Sequence, residues 1–480
     1  MSRAADYLLQ DAVAMAQAVR TRRVSATALV EASLARIAAT NPRVNAFTEV
    51  TASRALQRAA RIDQQLANPA CGPAADQPLL GVPFAVKNLF DIAGLSTLAG
   101  SRIERERLPA KADALLVQRL EAAGGVLVGA LNMDEYAYGF TTENSHAGPT
   151  RNPHDLTRVA GGSSGGSGAA VAAGQVPLTL GSDTNGSIRV PASLCGVFGL
   201  KPTFGRLPRT GSYPFISGLD HLGPFARSVR DLALSYDLMQ GPEAGGAVDP
   251  GCAQRAAEPV SPALSDMGAK GGLGGLRIGV LGGYFQDHAQ PAAWAAVQRV
   301  AQALDARETV DLPMVEAGRA AAFLITNAEG GALHLDDLRR RAEDFEPLSR
   351  DRFLAGALLP AAWVDRAQRV RRLYAQAVAR LFERFDVLLA AATPCAATPI
   401  GTEWFELNGR RLPLRPSMGL LTQPFSCIGL PVCAVPVWPE QGLPVGVQLV
   451  TAPWREDRAL RVAAALEAVG VARAPVASLS

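Results

Sequence analysis

The chain has 480 residues, 48% apolar and 19% charged, so it can bury a sizeable core and is not a disordered polymer. A net charge of +3 is too mild for a nucleic-acid binder without a localised basic stripe. No signal-peptide pattern opens the chain and no run of 18 apolar residues could span a bilayer, so a cytoplasmic location with reduced thiols is the default expectation.

The six cysteines (71, 195, 252, 395, 427, 433) and five histidines (146, 154, 221, 288, 334) show no C-x-x-C or H-E-x-x-H spacing. No metal, cofactor or disulfide framework is therefore expected. Arg341, Arg350, Arg352, Arg366, Arg369, Arg371 and Arg372 come closest to a basic stripe, but interleaved Asp and Glu mark a solvated helical face.

In chain order, Met1–Val50 predicts two amphipathic helices broken near Arg20–Val24. Residues 79–87 (LLGVPFAVK) predict a buried strand ending at Lys87, Ala112–Ala123 a helix and Gly125–Gly129 a second strand. The alternation continues with a helix at Ala169–Ala173 and a strand at Val176–Leu180. Later strands are expected at Leu276–Leu281, Val387–Ala391 and Val445–Val450, a mostly helical region at 312–385 and a helix at Arg458–Val469. Such alternation predicts an α/β layer fold with a largely parallel or mixed sheet. The Gly-, Ala- and Pro-rich residues 241–275 read as an excursion between a core at 65–240 and a lobe at 276–480 that completes the same sheet, within a single domain.

Lysine stands only at 87, 111, 201 and 270, the other 43 of the 47 basic residues being arginine. A lysine at the end of an apolar strand then invites a chemical reading, because lysine can lose its proton near neutrality and arginine cannot. The densest motif is 160–168 (AGGSSGGSG), ahead of an Ala-rich helix. It could cradle phosphate, but the lysine of a phosphate loop is missing. It could be a G-x-S-x-G esterase elbow drawing on His221, His288 or His334, or a flexible linker. After the next strand, 181–191 (GSDTNGSIRVP) puts Ser187 in a turn. Backbone amides around Thr184, Asn185 and Gly186 could converge there on an oxyanion. Gly186 permits close approach, Asn185 tolerates a positive φ, and Asp183 could pair with Arg189 beneath the serine.

Taken together, 132–136 (NMDEY), 142–145 (TENS), 148–153 (GPTRNP), 161–167 (GGSSGGS), 181–191, 196–202 (GVFGLKP), 429–431 (GLP) and 442–448 (GLPVGVQ) resemble the amidase signature family over most of the chain. The resemblance implies a catalytic Ser187, a bridging Ser163 whose preceding Gly162–Ser163 peptide is cis, and a basic Lys87, supported by Ser164, Asp183 and Arg189. It also implies an α/β fold with one large central mixed sheet covered by helices on both faces, and an acyl pocket lined by Tyr138 and Gly139. In glutamine-using relatives an arginine binds the substrate carboxylate, for which Arg350 and Arg352 are the candidates here, and an aspartate binds its ammonium. Gly419 occupies that aspartate position. The whole pattern is most similar to carboxybiuret hydrolases of s-triazine breakdown, which implies a small carboxylated ureide as substrate. It further implies a small helical companion chain, and a dimer of such pairs or a homodimer. The rival readings are the glutaminase subunit of an aminoacyl-tRNA amidotransferase, a non-catalytic binding protein that keeps the fold, and a histidine-dependent esterase.

Overall fold

The structure is a computed structural model and describes residues 3–68, 77–243, 248–265 and 273–479. Strands β1 (Phe47–Val50), β2 (Pro83–Lys87), β3 (Val126–Leu131), β4 (Leu178–Asp183), β5 (Phe198–Lys201), β6 (His221–Ala226), β7 (Ile278–Leu281), β8 (Glu308–Val310), β9 (Val387–Ala391), β10 (Val432–Val437) and β11 (Val445–Thr451) join in one 11-stranded sheet. The order is β1-β3-β2-β4-β6-β5-β10-β11-β9-β7-β8. Strands β3, β2 and β4 run parallel, as do β9, β7 and β8, and the other neighbours are antiparallel. This is the α/β architecture that the strand–helix alternation predicts, and the sheet is mixed, as the family resemblance implies. Strands β2, β3 and β4 are buried along their whole length, which explains their near-continuous apolar runs.

The N-terminus differs from expectation. Three helices, Arg3–Leu8, Ala12–Arg20 and Ala26–Val44, precede the edge strand β1. Asp11 and Ser25 cap the second and third helices by accepting from the amides of Ala14 and Ala28, and left-handed Asn45 (φ 54°) ends the third. The chain then turns to pair β1 with β3, so the sheet begins ahead of residue 65.

Two central strands, β6 and β10, escape a reading by pattern because each holds a proline, Pro224 and Pro436. Both strands pair with short β5, and both prolines lie beyond the rungs they share with it. The excursion expected at 241–275 lies partly outside the described residues, as do Cys71 and Lys270.

The glycine-rich segment is neither a linker nor a phosphate loop. Helix α1 (Gly165–Ala172) starts inside it, and every residue of α1 is buried. A Cβ on Gly166 would stand 2.6 Å from the backbone of Ala46 and Asn132, so small residues let this helix lie directly on its neighbours. Helix α2 (Arg189–Cys195) follows the Ser187 turn, and helices α3 (Val315–Leu333), α4 (Pro347–Ala357) and α5 (Ala361–Ala379) form the expected helical region. Among the described residues no helix is long and apolar enough to cross a membrane.

Candidate active site

Parallel strands β2 and β4 deliver Lys87 and Ser182–Asp183 to the same edge of the sheet. Lys87 is fully buried, its Nζ 2.7 Å from Ser163 Oγ and 2.9 Å from Ser182 Oγ. Burial pushes the amine down to about 7, against the opposing pull of Asp134, Asp183 and Asp220. Near neutrality a large share of the molecules therefore holds an uncharged amine against Ser163.

The Gly162–Ser163 peptide is cis. The Ser163 carbonyl accepts from the Asp134 amide (3.2 Å) and Thr142 Oγ1 (3.4 Å). Ser164 ties the loop to its neighbours: its amide donates to the Ser187 carbonyl (3.3 Å) and its hydroxyl to the Ser182 carbonyl (3.1 Å). The loop carrying Ser163 and the turn carrying Ser187, 24 positions apart, are thus joined through the Ser164 amide.

The turn carrying Ser187 is pinned from below by an ion pair between Asp183 and Arg189, both fully buried. Asp183 accepts from the amides of Gly186 (2.7 Å) and Ile188 (3.1 Å) and from Arg189 Nε and Nη2 (2.9 Å each). Burial would raise this carboxyl, but the guanidinium outweighs it and holds the group well below the usual carboxylate range. Arg189 also donates to the Thr422 carbonyl (3.0 Å), Gln448 Oε1 (2.8 Å) and Ser426 Oγ (2.6 Å), locking the turn to β11 and to the 414–431 segment. That is the physical role of the glutamine in the 442–448 motif.

Above this anchor, Thr184 Oγ1 donates to Asp220 (2.6 Å), Asn185 Nδ2 to Thr326 Oγ1 (2.8 Å), and Thr422 Oγ1 to the Asn185 carbonyl (2.6 Å). The positive φ falls on Gly186 (141°) and not on Asn185. A Cβ on Gly186 would stand 2.2 Å from Thr422 Oγ1, so the position accepts no side chain. The Gly186 amide is already engaged by Asp183. Asn185 Oδ1 is buried without a donor.

Of the remaining candidates, Tyr138 is buried, its hydroxyl donating to Asn327, with the Arg352 guanidinium 3.6 Å from its ring centroid. Arg350 pairs with Glu343 (3.2 Å) and Asp351 (3.1 Å), whereas Arg352 lies against Tyr138. Gly139 makes room for Asp134, whose carboxylate would lie 2.3 Å from a Cβ there. Gly419 backs onto the Phe140 ring, which a Cβ would meet at 2.3 Å.

Sequence reasoning missed Ser182 and Arg415. Ser182 sits in the motif already singled out, one residue before Asp183, on the strand paired with that of Lys87. Arg415 offers no local signal, because its partner Asp134 is 281 positions away. Nor is Lys87 unique among the lysines: Lys201 is also fully buried, but its Nζ reaches only the Pro202 carbonyl (3.1 Å). Among the described residues none of the three candidate histidines is paired with Ser163 or Ser187. His221 Nδ1 lies 2.6 Å from the Leu219 carbonyl and 3.0 Å from that of Asp183, His288 Nδ1 lies 2.8 Å from that of Tyr284, and His334 is caged by Tyr136, Phe345 and Phe353.

The amidase family profile matches residues 28–460. The chain is 59% identical over 463 residues to AtzE, the 1-carboxybiuret hydrolase subunit of Pseudomonas sp. (strain ADP), covering 96% of this chain and 99% of that one. It is 39% identical over 482 residues to the A-type subunit of the glutamyl-tRNA(Gln) amidotransferase of Roseiflexus sp. (strain RS-1), covering 94% and 95%. A solved chain from a vestigial protein complex bearing on the origins of an s-triazine catabolic enzyme superposes with a TM-score of 0.93 at 59% identity, covering 97% and 99%. The chain belongs to the amidase family and is a hydrolase acting on amides.

Proposed function

We propose that Ser187 attacks the carbonyl of a small carboxylated ureide of the 1-carboxybiuret type, releasing ammonia from its terminal amide. The observation that carries the chemistry is the buried amine of Lys87, 2.7 Å from Ser163 Oγ and pushed down to about 7. Neutral Lys87 accepts the Ser163 proton as Ser163 accepts that of Ser187, and the Ser187 oxygen adds to the amide carbon. The relay then reverses to protonate the departing nitrogen. Water repeats the cycle on the acyl-enzyme and leaves a carboxylate where the amide stood. The turn Thr184–Asn185–Gly186 cradles the oxyanion, with Gly186 supplying clearance and Asp183–Arg189 rigidity. Ser164 holds the two reacting serines in register.

Two features favour an anionic ureide over glutamine. The aspartate position for the glutamine ammonium is Gly419, and the Phe140 ring leaves no room for a side chain there. Asn185 Oδ1, buried without a donor, is suited to accept a ureide N–H. Similarity to one subunit of a hydrolase, and to a chain solved within a protein complex, supports a companion chain. We propose that it is small and helical, and that the assembly is a dimer of such pairs or a homodimer. The test is ammonia release from 1-carboxybiuret, biuret, glutamine and simple aliphatic amides. Carboxybiuret should lead by at least tenfold in kcat/KM, and equal rates on all four would remove the reading.

A further inference from the structure

Arg415 has a geometry that the amide chemistry leaves unused. Its Nη2 donates to Asp134 Oδ1 (2.6 Å) and lies 3.5 Å from Glu346 Oε2. The other oxygen of Asp134 accepts from the Thr142 amide (3.0 Å) and lies against Gly162, where a Cβ would meet it at 2.1 Å. The guanidinium is therefore one carboxylate away from the peptide that carries Ser163. Its Nε and Nη1 are buried and find no acceptor, and Glu346 Oε1 is buried and finds no donor. Buried guanidinium donors are rarely left unpaired, because the desolvation penalty is then uncompensated.

The same side chain lines a cleft of about 440 Å³ together with Arg352. Leu348, Trp404, Pro413 and Pro416 form its apolar walls, and Glu143 and Glu403 also border it. Glu143 is engaged by the Gly401 amide (2.6 Å). Burial pushes the Glu346 carboxyl up to about 7, with Arg415 opposing and Asp134 and Glu135 adding. Arg352 and Arg415 thus bring two guanidinium groups to the inner end of the cleft, with Asp134 and Glu346 beside Arg415 and Glu143 nearby.

We propose that Arg415, backed by Arg352, receives the carboxylate of the substrate and so determines the preference for an anionic ureide. The substrate would extend from Ser187 past Gly139, whose missing side chain leaves room for the Asp134–Arg415 pair. A carboxylate at Nε or Nη1 would supply the missing acceptor by a charge-assisted hydrogen bond. This inference rests on the anionic-ureide reading.

The experiment compares 1-carboxybiuret with biuret in wild-type, R415K and R415M enzymes, each checked for folding by circular dichroism. R415K keeps a positive charge beside Asp134 and Glu346. In R415K the kcat/KM ratio of carboxybiuret to biuret should fall at least tenfold, the loss residing in KM, and R415M should fall further. An unchanged ratio in a folded variant overturns the role of Arg415 and leaves the substrate reading intact. A wild type that treats both substrates alike instead overturns the substrate reading. A structure of the S187A enzyme with carboxybiuret bound decides the matter without an Arg415 variant: the carboxylate lies on Arg415, and a carboxylate elsewhere contradicts the inference.

Discussion

Ser182 Oγ and Lys87 Nζ lie 2.9 Å apart, with Ser163 2.7 Å away as the amine's other partner. A neutral amine has one lone pair and two N–H donors. With one N–H directed to Ser182, the lone pair can face Ser163. Ser182→Ala should therefore lower kcat roughly ten- to hundredfold without changing the fold, because the base loses orientation and keeps its identity. Steady-state kinetics with circular dichroism checks this, and an unchanged kcat would remove the orienting role.

The pH dependence follows from Lys87. Its folded pKa lies near 7, below the value of about 10.5 that the unfolded chain would show. The protonated form cannot act as a base, so kcat/KM should rise tenfold per pH unit up to about 7 and then level. The folded state binds fewer protons than the unfolded state between the two pKa values, so the amine's penalty is greatest at low pH and fades as pH rises towards 10.5. Lys87→Met should be inactive, and its stability relative to wild type should be greater at pH 6 than at pH 9 by about 3 kcal/mol. Urea denaturation at the two pH values measures that difference.

Asp183 and Arg189 predict a stability effect. Arg189→Ala leaves a fully buried carboxylate without its counter-ion and should destabilise the enzyme by about 3–5 kcal/mol. Asp183→Asn in the same background should recover part of the loss, because it removes the stranded charge. Chemical denaturation of the single and double variants reads the coupling.

Gly186→Ala forces a Cβ to 2.2 Å from Thr422 Oγ1 at a φ of 141°. Activity should fall on the order of 100-fold as the turn shifts, since the loss of a single oxyanion donor has effects of that size. Wild-type kcat in this variant would show that the turn tolerates displacement.

The sequence carried much of this site, for reasons that differ by residue. Lys87 stood out because the chain otherwise avoids lysine, and its strand is apolar because parallel neighbours bury it on both sides. Buried Lys201 passes the same compositional test without a serine beside it, so composition alone could not separate the two. The glycines around Ser163 looked compatible with a phosphate loop or a linker until packing gave their reason, the close approach of α1 to Ala46 and Asn132. Strands β6 and β10 were hidden by prolines that matter little only because β5 is short. Arg415 was illegible because its meaning depends on Asp134, Gly139 and Glu346, which only the folded chain brings together.

If Ser187 carries the acyl group, peptide mapping by mass spectrometry of enzyme acid-quenched during turnover will find it there. The acyl mass is expected on the peptide containing Ser187, absent from the S187A variant and depleted in K87M. An acyl group on Ser163 or Ser182, or undiminished hydrolysis by S187A, would contradict it.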